Sequence, residues 1–498
     1  FFSAVSKMDT NGGCQKIPEV VSRLRKSFRG GCTKSRDWRY QHLRALQRLM
    51  VEGRQELCSG MKEDLGKSEL EGYLTENNMV ENEIRCCLDN LDEWMQPDKK
   101  STNLLNIPAS SYTINEPYGV ALILGAWNYP VMLSLQPLVG CIAAGNCAVI
   151  KVPPPQFSPT SSRVVAKLIR KYLDPRFFCV VEGDKDVFDA LLEERWDIIF
   201  ATGSANHGKT VAMAAAKHLT PCVLELGGKN PCIVDRTASL ELAAKRIVWG
   251  SFLNTGQTCV RPDYVLVHKD IADRFVEAVK RRIDEFYGTD PMKTDWFGRM
   301  ATSWGWKRIW GFIKQEQSHV VHGGVVDEDT KFVAPTLFYY DSVDTYAASS
   351  LAKEEMFGPL LSIIKYHSLS NVLDYINDQE KPLSLYFYGG DTEVRQRVLT
   401  ETSSGSVCVN DNVVQIVNHE LPFGGVGHSG MGSYHGRYSF DAFSHIKSVM
   451  IKPNINLLDP PVRYPPYGRL KSRLLPLVQA PTLAAWMDIL PLRIFLVV

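Results

Sequence analysis

Residues 197–226 read DIIFATGSANHGKTVAMAAAKHLTPCVLEL. Asp197–Phe200 and Cys222–Leu226 have the length and apolar content of buried strands. Between them, Lys209–Leu219 has the residue spacing of a helix. The segment therefore predicts a strand–helix–strand unit.

The same alternation extends in both directions along the chain. On the N-terminal side the predicted strands and helices are Val120–Leu124, Cys147–Val152, Ser161–Leu173, Phe178–Val181 and Val187–Glu194. After Glu225 they are Ala272–Tyr287, Leu361–Tyr366, Val372–Asn377, Leu385–Tyr388 and Ser406–Asn410. Continuous apolar strands separated by amphipathic helices are typical of parallel sheets covered on both faces. We therefore predict two α/β domains that meet near Glu225.

Length and composition indicate a large globular enzyme. The 498 residues exceed what one core supports, and 45% of them are apolar. A net charge of +1 gives no electrostatic footprint for nucleic acid. The 12 cysteines contain no CxxC pair, and no secretory signal is visible. We therefore expect reduced thiols, no metal site and a protein that faces the cytosol.

One cysteine stands out by its neighbours. Cys259 lies in the run Asn254–Val260 and follows Glu225, at the end of a predicted strand, by thirty-four residues. A thiolate can add covalently to a carbonyl, and a carboxylate can activate the water that later releases the acyl group. Because a free thiol titrates near pH ~8.5, we expect the site to favour the thiolate. A Cys–His pair is the rival mechanism, although no motif ties a histidine to Cys259.

Several runs resemble the aldehyde dehydrogenase superfamily, specifically its class 3, fatty-aldehyde-type branch. They are Gly125–Pro130, Ala214–Pro221, Leu224–Lys229, Gly256–Val260, Glu354–Pro359 and Leu421–Gly436. The resemblance covers roughly residues 16–453. It implies an α/β fold with a Rossmann-like cofactor domain, an α/β catalytic domain and a small bridging or oligomerisation β hairpin.

This fold assigns a role to each part of the chain. The implied parts are an NAD(P)-binding domain at 14–97 and 118–224, a catalytic domain at 225–418, bridging or oligomerisation segments at 98–117 and 419–453, and a C-terminal apolar tail at 454–498. The class 3 relatives also imply a homodimer that uses NAD or NADP.

The resemblance further implies a reaction, the oxidation of aldehydes to carboxylic acids. In this reading Cys259 attacks the carbonyl, and Glu225 activates water against the thioester. The amide of Asn128 and the cysteine's backbone N–H hold the developing oxyanion, where one donor can lower the barrier by ~3 kcal/mol. The implied substrate is a medium- or long-chain fatty aldehyde or an aromatic one. Trp127 and Tyr129 are expected either to line an apolar tunnel or to pack in the core.

Cofactor binding is expected at the ends of the first set of strands. Gly203 and Ser204 follow a strand and precede a helix, whose N-terminus would receive a pyrophosphate. By resemblance Ser204 lies beside the phosphates, and Lys151 bonds the adenosine ribose. Glu355 is expected to bond the nicotinamide ribose, with Phe357 packed beside the nicotinamide.

Three positions depart from the family's usual pattern. Gln156 stands where a ribose-binding carboxylate is usual, and because an amide does not repel a 2′-phosphate, we predict real use of NADP. His207 replaces a valine near the pyrophosphate turn and is expected to reshape that site. Arg261 replaces a small residue two positions after Cys259, where we expect it to depress the pKa of the thiol or to crowd the pocket.

The C-terminal residues 474–498 are mostly apolar and follow a basic cluster. Three prolines interrupt them, and Asp488 and Arg493 are costly at the centre of a bilayer. We therefore expect an interfacial membrane anchor, on the endoplasmic reticulum, rather than a clean span. The alternative is a tail that packs on the protein or against a partner subunit.

Two other functions remain open from the sequence. The departures at Gln156, His207 and Arg261 are compatible with a weak or silent relative kept for a binding or structural role. A cofactor-independent thiol esterase would use the same cysteine. Ester hydrolysis without nucleotide distinguishes the esterase from the dehydrogenase.

Overall fold

The computed structural model describes residues 17–459 and 461–473. Their contacts divide the chain into two units. The first contains the described residues up to Leu91 together with Pro117–Phe443, and the second contains Asp92–Glu116 and the described residues from Ser444 onward. The assignment of cofactor-binding and catalytic domains on either side of Glu225 stays a prediction.

The strands of the described residues are numbered in chain order. They are β1 (Asp98–Lys100), β2 (Ser110–Pro117), β3 (Val120–Leu124), β4 (Cys147–Lys151), β5 (Phe178–Val181), β6 (Ile198–Gly203), β7 (Cys222–Leu226), β8 (Pro231–Val234), β9 (Tyr264–His268), β10 (Val320–His322), β11 (Val326–Asp327), β12 (Phe332–Val333), β13 (Thr336–Tyr340), β14 (Leu360–Tyr366), β15 (Ser384–Tyr388), β16 (Ser406–Val409), β17 (Gly430–Met431) and β18 (Ser444–Ile451).

The α-helices are numbered in the same way. They are α1 (Ile17–Arg29), α2 (Arg36–Leu65), α3 (Glu69–Gly72), α4 (Asn78–Trp94), α5 (Met132–Ala144), α6 (Pro159–Tyr172), α7 (Lys185–Leu192), α8 (Ala205–Ala216), α9 (Leu240–Phe252), α10 (Ala272–Tyr287), α11 (Ser303–Gln315), α12 (Val343–Ala347), α13 (Leu369–Asn377), α14 (Thr392–Glu401) and α15 (Arg437–Ala442).

The first unit contains the parallel sheet predicted from residues 120–226. Its six strands have the order β17-β7-β6-β3-β4-β5 and are parallel, except that β17 pairs antiparallel with β7. Strands β3 and β4 are buried along their whole length, as their unbroken apolar sequence requires. The predicted parallel α/β sheet is confirmed.

Helix α8 begins earlier than its apolar spacing predicts. It starts at Ala205 rather than at Lys209, because the hydroxyl of Ser204 accepts a hydrogen bond from the N–H of His207 at 3.3 Å. A serine in this capping position satisfies a donor that the first turn leaves open. The cap brings the N-terminus of the helix directly to the end of β6.

A second sheet of the same unit has the order β10-β13-β14-β9-β8-β15-β16. Its strands are parallel apart from β10, which pairs antiparallel with β13. One core packs α9 and α10 against the sheet, and another packs α11 and α13 against it. The second predicted α/β element is confirmed, with helices covering the strands.

The second unit contains a small sheet. Strands β1 and β2 pair antiparallel, as expected for a hairpin, and β18 adds to the free edge of β2. Residues 474–498, for which membrane contact is predicted, lie outside the described residues. Within residues 17–459 and 461–473, no helix has the length and apolar character that crossing a membrane requires.

Candidate active site

The predicted oxyanion donor, Asn128, lies on a loop of the first sheet and contacts the loop of the second sheet that carries the predicted nucleophile, Cys259. Asn128 follows the carboxyl end of β3, and its side-chain Nδ2 donates to the backbone carbonyl of Gln257 at 3.1 Å. The next residue, Tyr129, bonds through its hydroxyl to the Oγ1 of Thr258 at 2.6 Å. The carboxyl edge of the first sheet therefore packs directly against the loop that carries Cys259.

The second sheet holds this nucleophile loop from the other side. The side-chain amide of Asn230 donates to the carbonyl of Cys259 at 2.7 Å. The hydroxyl of Tyr386, on β15, donates to the carbonyl of Val260. Both anchors lie on or beside central strands, so the position of the thiol is set by rigid elements rather than by a free loop.

A tight left-handed turn precedes the nucleophile. Asn254, Thr255 and Gly256 have φ values of 54°, 56° and 70°. A Cβ on Gly256 would lie 2.2 Å from the carbonyl oxygen of Gly358, so only glycine fits there. The left-handed backbone conformation costs the β-branched Thr255 roughly 1–3 kcal/mol, which the surrounding contacts must offset.

The groups around Cys259 act on the protonation of its thiol in opposite directions. Burial, followed by the nearby carboxyl groups of Glu355 and Glu225, raises the pKa of the Cys259 thiol to about 12. The backbone N–H groups of Cys259 and Val260 act in the opposite direction but are outweighed. The expected preference for the thiolate therefore does not come from these protein groups alone and stays a prediction.

Glu225 is a buried carboxyl group at the end of β7. It is 3% exposed, and neither of its oxygens has a hydrogen-bond partner among the described residues. Burial raises its pKa well above the ordinary value for glutamate. A carboxyl group without partners, close to the thiol, is free to take a proton from a water molecule.

Arg261 is directed away from the thiol. Its guanidinium binds the carboxylate of Asp263 at 2.6 Å and the carbonyl of Leu360 at 2.9 Å, and its side chain is 1% exposed. A buried cation needs such a partner. The guanidinium is thus engaged by Asp263 and Leu360, and its expected effect on the thiol pKa or on the size of the pocket stays a prediction.

Glu355 sits against the glycines that follow Glu225. A Cβ on Gly227 would lie 2.3 Å from Oε2 of Glu355, and the N–H of Gly228 donates to the same carboxyl group. Burial and the neighbouring Asp263 raise the pKa of Glu355 to about 8. Gly227 thus provides the space that lets this acid approach the end of β7.

Two partly exposed aromatic rings lie beside this acid. The ring of Phe357 meets the ring of Trp127 edge-on, with centroids 5.5 Å apart, and Trp127 stacks on Phe157 at 5.9 Å. Phe357 has a φ of 44°, which is unusual for an aromatic residue. Such rings suit a planar heterocycle such as nicotinamide. Tyr129, by contrast, is buried beside the nucleophile loop.

The other predicted cofactor residues lie at the carboxyl ends of β4 and β6. Lys151 is buried, its Nζ donates to the carbonyl of Val152 at 3.1 Å, and burial lowers its pKa to about 8. Ser204 caps α8, directly after Gly203. Burial and Lys151 lower the pKa of the adjacent His207, whose Nε2 has no partner among the described residues.

These residues fit a dinucleotide. A capped helix N-terminus offers amide N–H groups to phosphates, and Lys151 offers an amino group that donates to the backbone carbonyl of Val152. Gln156 is exposed in the turn before α6 and carries no charge. The individual roles of Lys151, Gln156, Ser204, Glu355 and Phe357 stay predictions.

A buried ion pair behind Asn128 was not predicted. Lys67 and Glu76 are in contact at 2.6 Å, and Lys67 also donates to the carbonyl of Asn128 at 3.2 Å. The other oxygen of Glu76 accepts the N–H groups of Val131 at 2.8 Å and Met132 at 3.2 Å. The pair fixes the backbone on both sides of Asn128. No motif in the sequence marks it.

Comparison with known proteins agrees with this geometry. The profile described as "Aldehyde dehydrogenase family" matches residues 10–449. The chain is 41% identical to aldehyde dehydrogenase family 3 member H1 of Arabidopsis thaliana, with 93% of this chain and 95% of the relative covered. It is 42% identical to the dimeric NADP-preferring aldehyde dehydrogenase of Canis lupus familiaris, with 91% and 98% covered.

A solved structure supports the same family assignment. The substrate-bound state of Staphylococcus aureus AldH superposes with a TM-score of 0.89 at 37% identity, covering 93% of this chain and 99% of that chain. The fold and the site thus define an α/β oxidoreductase of the aldehyde-oxidising class. The chain belongs to the aldehyde dehydrogenase family, and its class 3 resemblance is confirmed. NAD(P)-dependent oxidation of aldehydes is confirmed as the reaction class.

Proposed function

We propose that Cys259, Asn128 and Glu225 oxidise an apolar aldehyde in two covalent steps. The observation that carries this proposal is the hydrogen bond between Asn128 and the carbonyl of Gln257, two residues before the thiol. That bond uses one hydrogen of the Asn128 amide. The second hydrogen of this amide is available to donate a hydrogen bond to an oxyanion formed beside Cys259.

In the first step the Cys259 thiol releases its proton to solvent water, and the thiolate adds to the aldehyde carbon. The carbonyl oxygen becomes an oxyanion that accepts hydrogen bonds from Asn128 Nδ2 and from the N–H of Cys259. When bound, the nicotinamide would supply a positive charge that favours the thiolate and would accept the hydride that leaves the substrate carbon. Cys259 is left as a thioester.

In the second step Glu225 acts as a general base. Its carboxylate removes a proton from water, and the water oxygen bonds to the thioester carbon. The same two donors hold the new oxyanion. The carbon–sulfur bond then breaks, the carboxylic acid leaves, and Cys259 returns as a thiolate. Because Glu225 has no competing hydrogen-bond partner among the described residues, its carboxylate is available to this water.

An exposed apolar segment, linked to the nucleophile loop through the side chain of Tyr386, supports the proposal of a medium- or long-chain substrate. In the turn Val414–Val417, Val414 and Val417 expose much of their side chains. The Nε2 of Gln415 donates to the hydroxyl of Tyr386 at 3.2 Å, and that hydroxyl in turn binds the nucleophile loop. An aldehyde chain that leaves Cys259 toward this segment would cover apolar surface.

We expect octanal to exceed propanal in kcat/KM by at least about tenfold, since each buried CH2 contributes about 0.8 kcal/mol. Formation of reduced nucleotide at 340 nm measures this ratio. The substitution Val417→Asp is expected to shrink the ratio, whereas Val325→Asp, at an exposed valine between β10 and β11, should leave it unchanged. Equal rates for propanal and octanal in the unaltered protein would refute the apolar-substrate proposal.

We further propose that the protein uses NADP as well as NAD. Gln156 is uncharged, and Lys151 with His207 places cationic or neutral groups near the predicted adenosine ribose. The dog relative is named NADP-preferring. These features support binding of a 2′-phosphate.

The substitution Gln156→Glu is expected to raise the Kd for NADP about tenfold and to leave the Kd for NAD nearly constant. A new negative charge near a partly solvated phosphate costs on the order of 1–2 kcal/mol. Nucleotide titration monitored by protein fluorescence gives both constants. Gln317→Glu, at another exposed glutamine, is the control. A preference of a hundredfold or more for NAD in the unaltered protein would contradict the proposal.

A homodimer is also proposed. The relative from dog is named dimeric. On β18, the outer strand of the small sheet, Ile446, Met450 and Ile451 are each more than half exposed. An exposed apolar edge strand is a surface that a second chain can cover. Membrane association through residues 474–498 stays a proposal drawn from the sequence.

A further inference from the structure

The two donors of the proposed oxyanion site belong to separate segments. Asn128 lies on the loop after β3, and the N–H of Cys259 lies on the loop before β9. Their separation decides whether both can reach one oxygen, and displacements well below 1 Å matter for such donors. Whatever ties the two loops together therefore controls the site.

One side chain bridges both loops. The Nδ2 of Asn254 donates to the backbone carbonyl of Asn128 at 2.8 Å and to the backbone carbonyl of Gln257 at 3.1 Å. Gln257 is also the residue whose carbonyl receives the side chain of Asn128. Asn254 is 2% exposed, so water does not replace these bonds. Its amide thus holds the backbone of one donor at a fixed place relative to the loop of the other.

Asn254 is itself held by a half-buried acid. Its N–H donates to Oε1 of Glu71 at 2.7 Å, and its carbonyl accepts the N–H of Gln257 at 3.0 Å. With a φ of 54°, its backbone is left-handed, a conformation that asparagine tolerates better than most residues. The sequence run Asn254–Val260 contains this residue but gives no sign of the bridge, because one end of it lies 126 residues away.

We infer that Asn254 is a positioning residue for the oxidation, which clamps Asn128 and Gln257 so that both oxyanion donors converge. This role rests on the proposed function. Asn254 does not touch the substrate in this account. It acts through the two backbone carbonyls that its amide holds, and Glu71 orients it from behind.

Two substitutions distinguish the effect of the Asn254 side chain from the effect of its backbone conformation. Asn254→Gly removes the amide and keeps the left-handed turn at no steric cost. Asn254→Asp keeps the size of the side chain, but its carboxylate form cannot donate to either carbonyl. For both variants we expect kcat with octanal to fall about 10- to 100-fold, with KM and nucleotide Kd within about threefold.

A second readout distinguishes positioning from simple support of the loop. Alkylation of Cys259 by iodoacetamide forms no oxyanion, so we expect its rate in both variants to stay within about twofold of the unaltered protein. The matched control is Asn410→Gly. Asn410 also has a left-handed φ, of 60°, and bonds both polar groups of Gly389, at 2.9 Å and 3.3 Å. This variant should retain kcat.

Three results would overturn the inference. An unchanged kcat in Asn254→Gly would show that the amide is dispensable. A parallel fall in kcat and in the alkylation rate would show that Asn254 only supports the cysteine loop. An equal loss of kcat in Asn410→Gly would show a general effect of removing such an asparagine. Failure of the unaltered protein to reduce either nucleotide would instead refute the proposed function.

Discussion

Replacing Cys259 with alanine is expected to abolish aldehyde oxidation, with a loss in kcat/KM of about 10⁴-fold or more. The whole proposed reaction proceeds through a bond to this sulfur, and the structure holds the cysteine loop between two sheets, through Tyr129 on one side and through Asn230 and Tyr386 on the other. Loss of a nucleophile that forms the covalent intermediate leaves only binding and oxyanion stabilisation. Reduction of NADP and of NAD at 340 nm, each with octanal, measures the effect.

The control for this variant is Cys408→Ala. Cys408 is a free, partly buried cysteine like Cys259, but it lies within β16. That variant should keep its activity, and Cys259→Ala should keep its nucleotide Kd. Residual oxidation above a few per cent in Cys259→Ala would contradict the account. If the unaltered protein oxidised none of several aldehydes, the result would favour the alternative of a weak or silent relative. Ester hydrolysis without nucleotide would favour the alternative of a thiol esterase.

The second large effect is expected for Glu225→Gln. Because the amide cannot accept the proton of water, the thioester should form once and then persist. We expect a burst of about one reduced nucleotide per active site, followed by turnover about 10²- to 10⁴-fold slower than in the unaltered protein. Stopped-flow absorbance at 340 nm resolves the burst from the slow phase.

The pH dependence follows from the state of Glu225. Burial raises its pKa, so its basic form is populated at a higher pH than for an ordinary glutamate. In the unaltered protein, hydrolysis of the thioester should therefore speed up as the pH rises through this pKa, and Glu225→Gln should lose that rise. The control is Glu194→Gln, a half-buried glutamate after α7 whose pKa is also raised by burial. A Glu225→Gln variant without a burst phase would contradict the role of Glu225.

Much of the fold could be predicted from local sequence. The strands β3, β5 and β7 begin and end at the predicted residues, because unbroken apolar runs have no other stable place than a covered sheet. Errors concentrate where a single side chain sets a boundary. The cap by Ser204 starts α8 four residues early. Strand β8, which was not predicted, begins at Pro231, a residue that usually interrupts strands but is tolerated at their first position.

The site was less accessible to sequence reasoning, for a physical reason. The roles of Cys259 and Glu225 could be proposed from residue chemistry, but their protonation depends on burial and on groups that are distant along the chain. The two carboxyl groups that raise the pKa of Cys259 belong to β7 and to the loop before β14. The bridge by Asn254 depends equally on tertiary packing. The ion pair of Arg261 with Asp263 likewise could not be inferred from the proximity of Arg261 to the cysteine.

The central claim is that one thiol carries the acyl group and one buried acid releases it. The most direct measurement is tandem mass spectrometry of Glu225→Gln, quenched with acid after mixing with octanal and NADP. We expect the peptide containing Cys259 to gain the mass of one octanoyl group, while the peptides of the other cysteines stay unmodified. An octanoyl group on another residue, or reduced nucleotide formed with no acylated peptide at all, would contradict it.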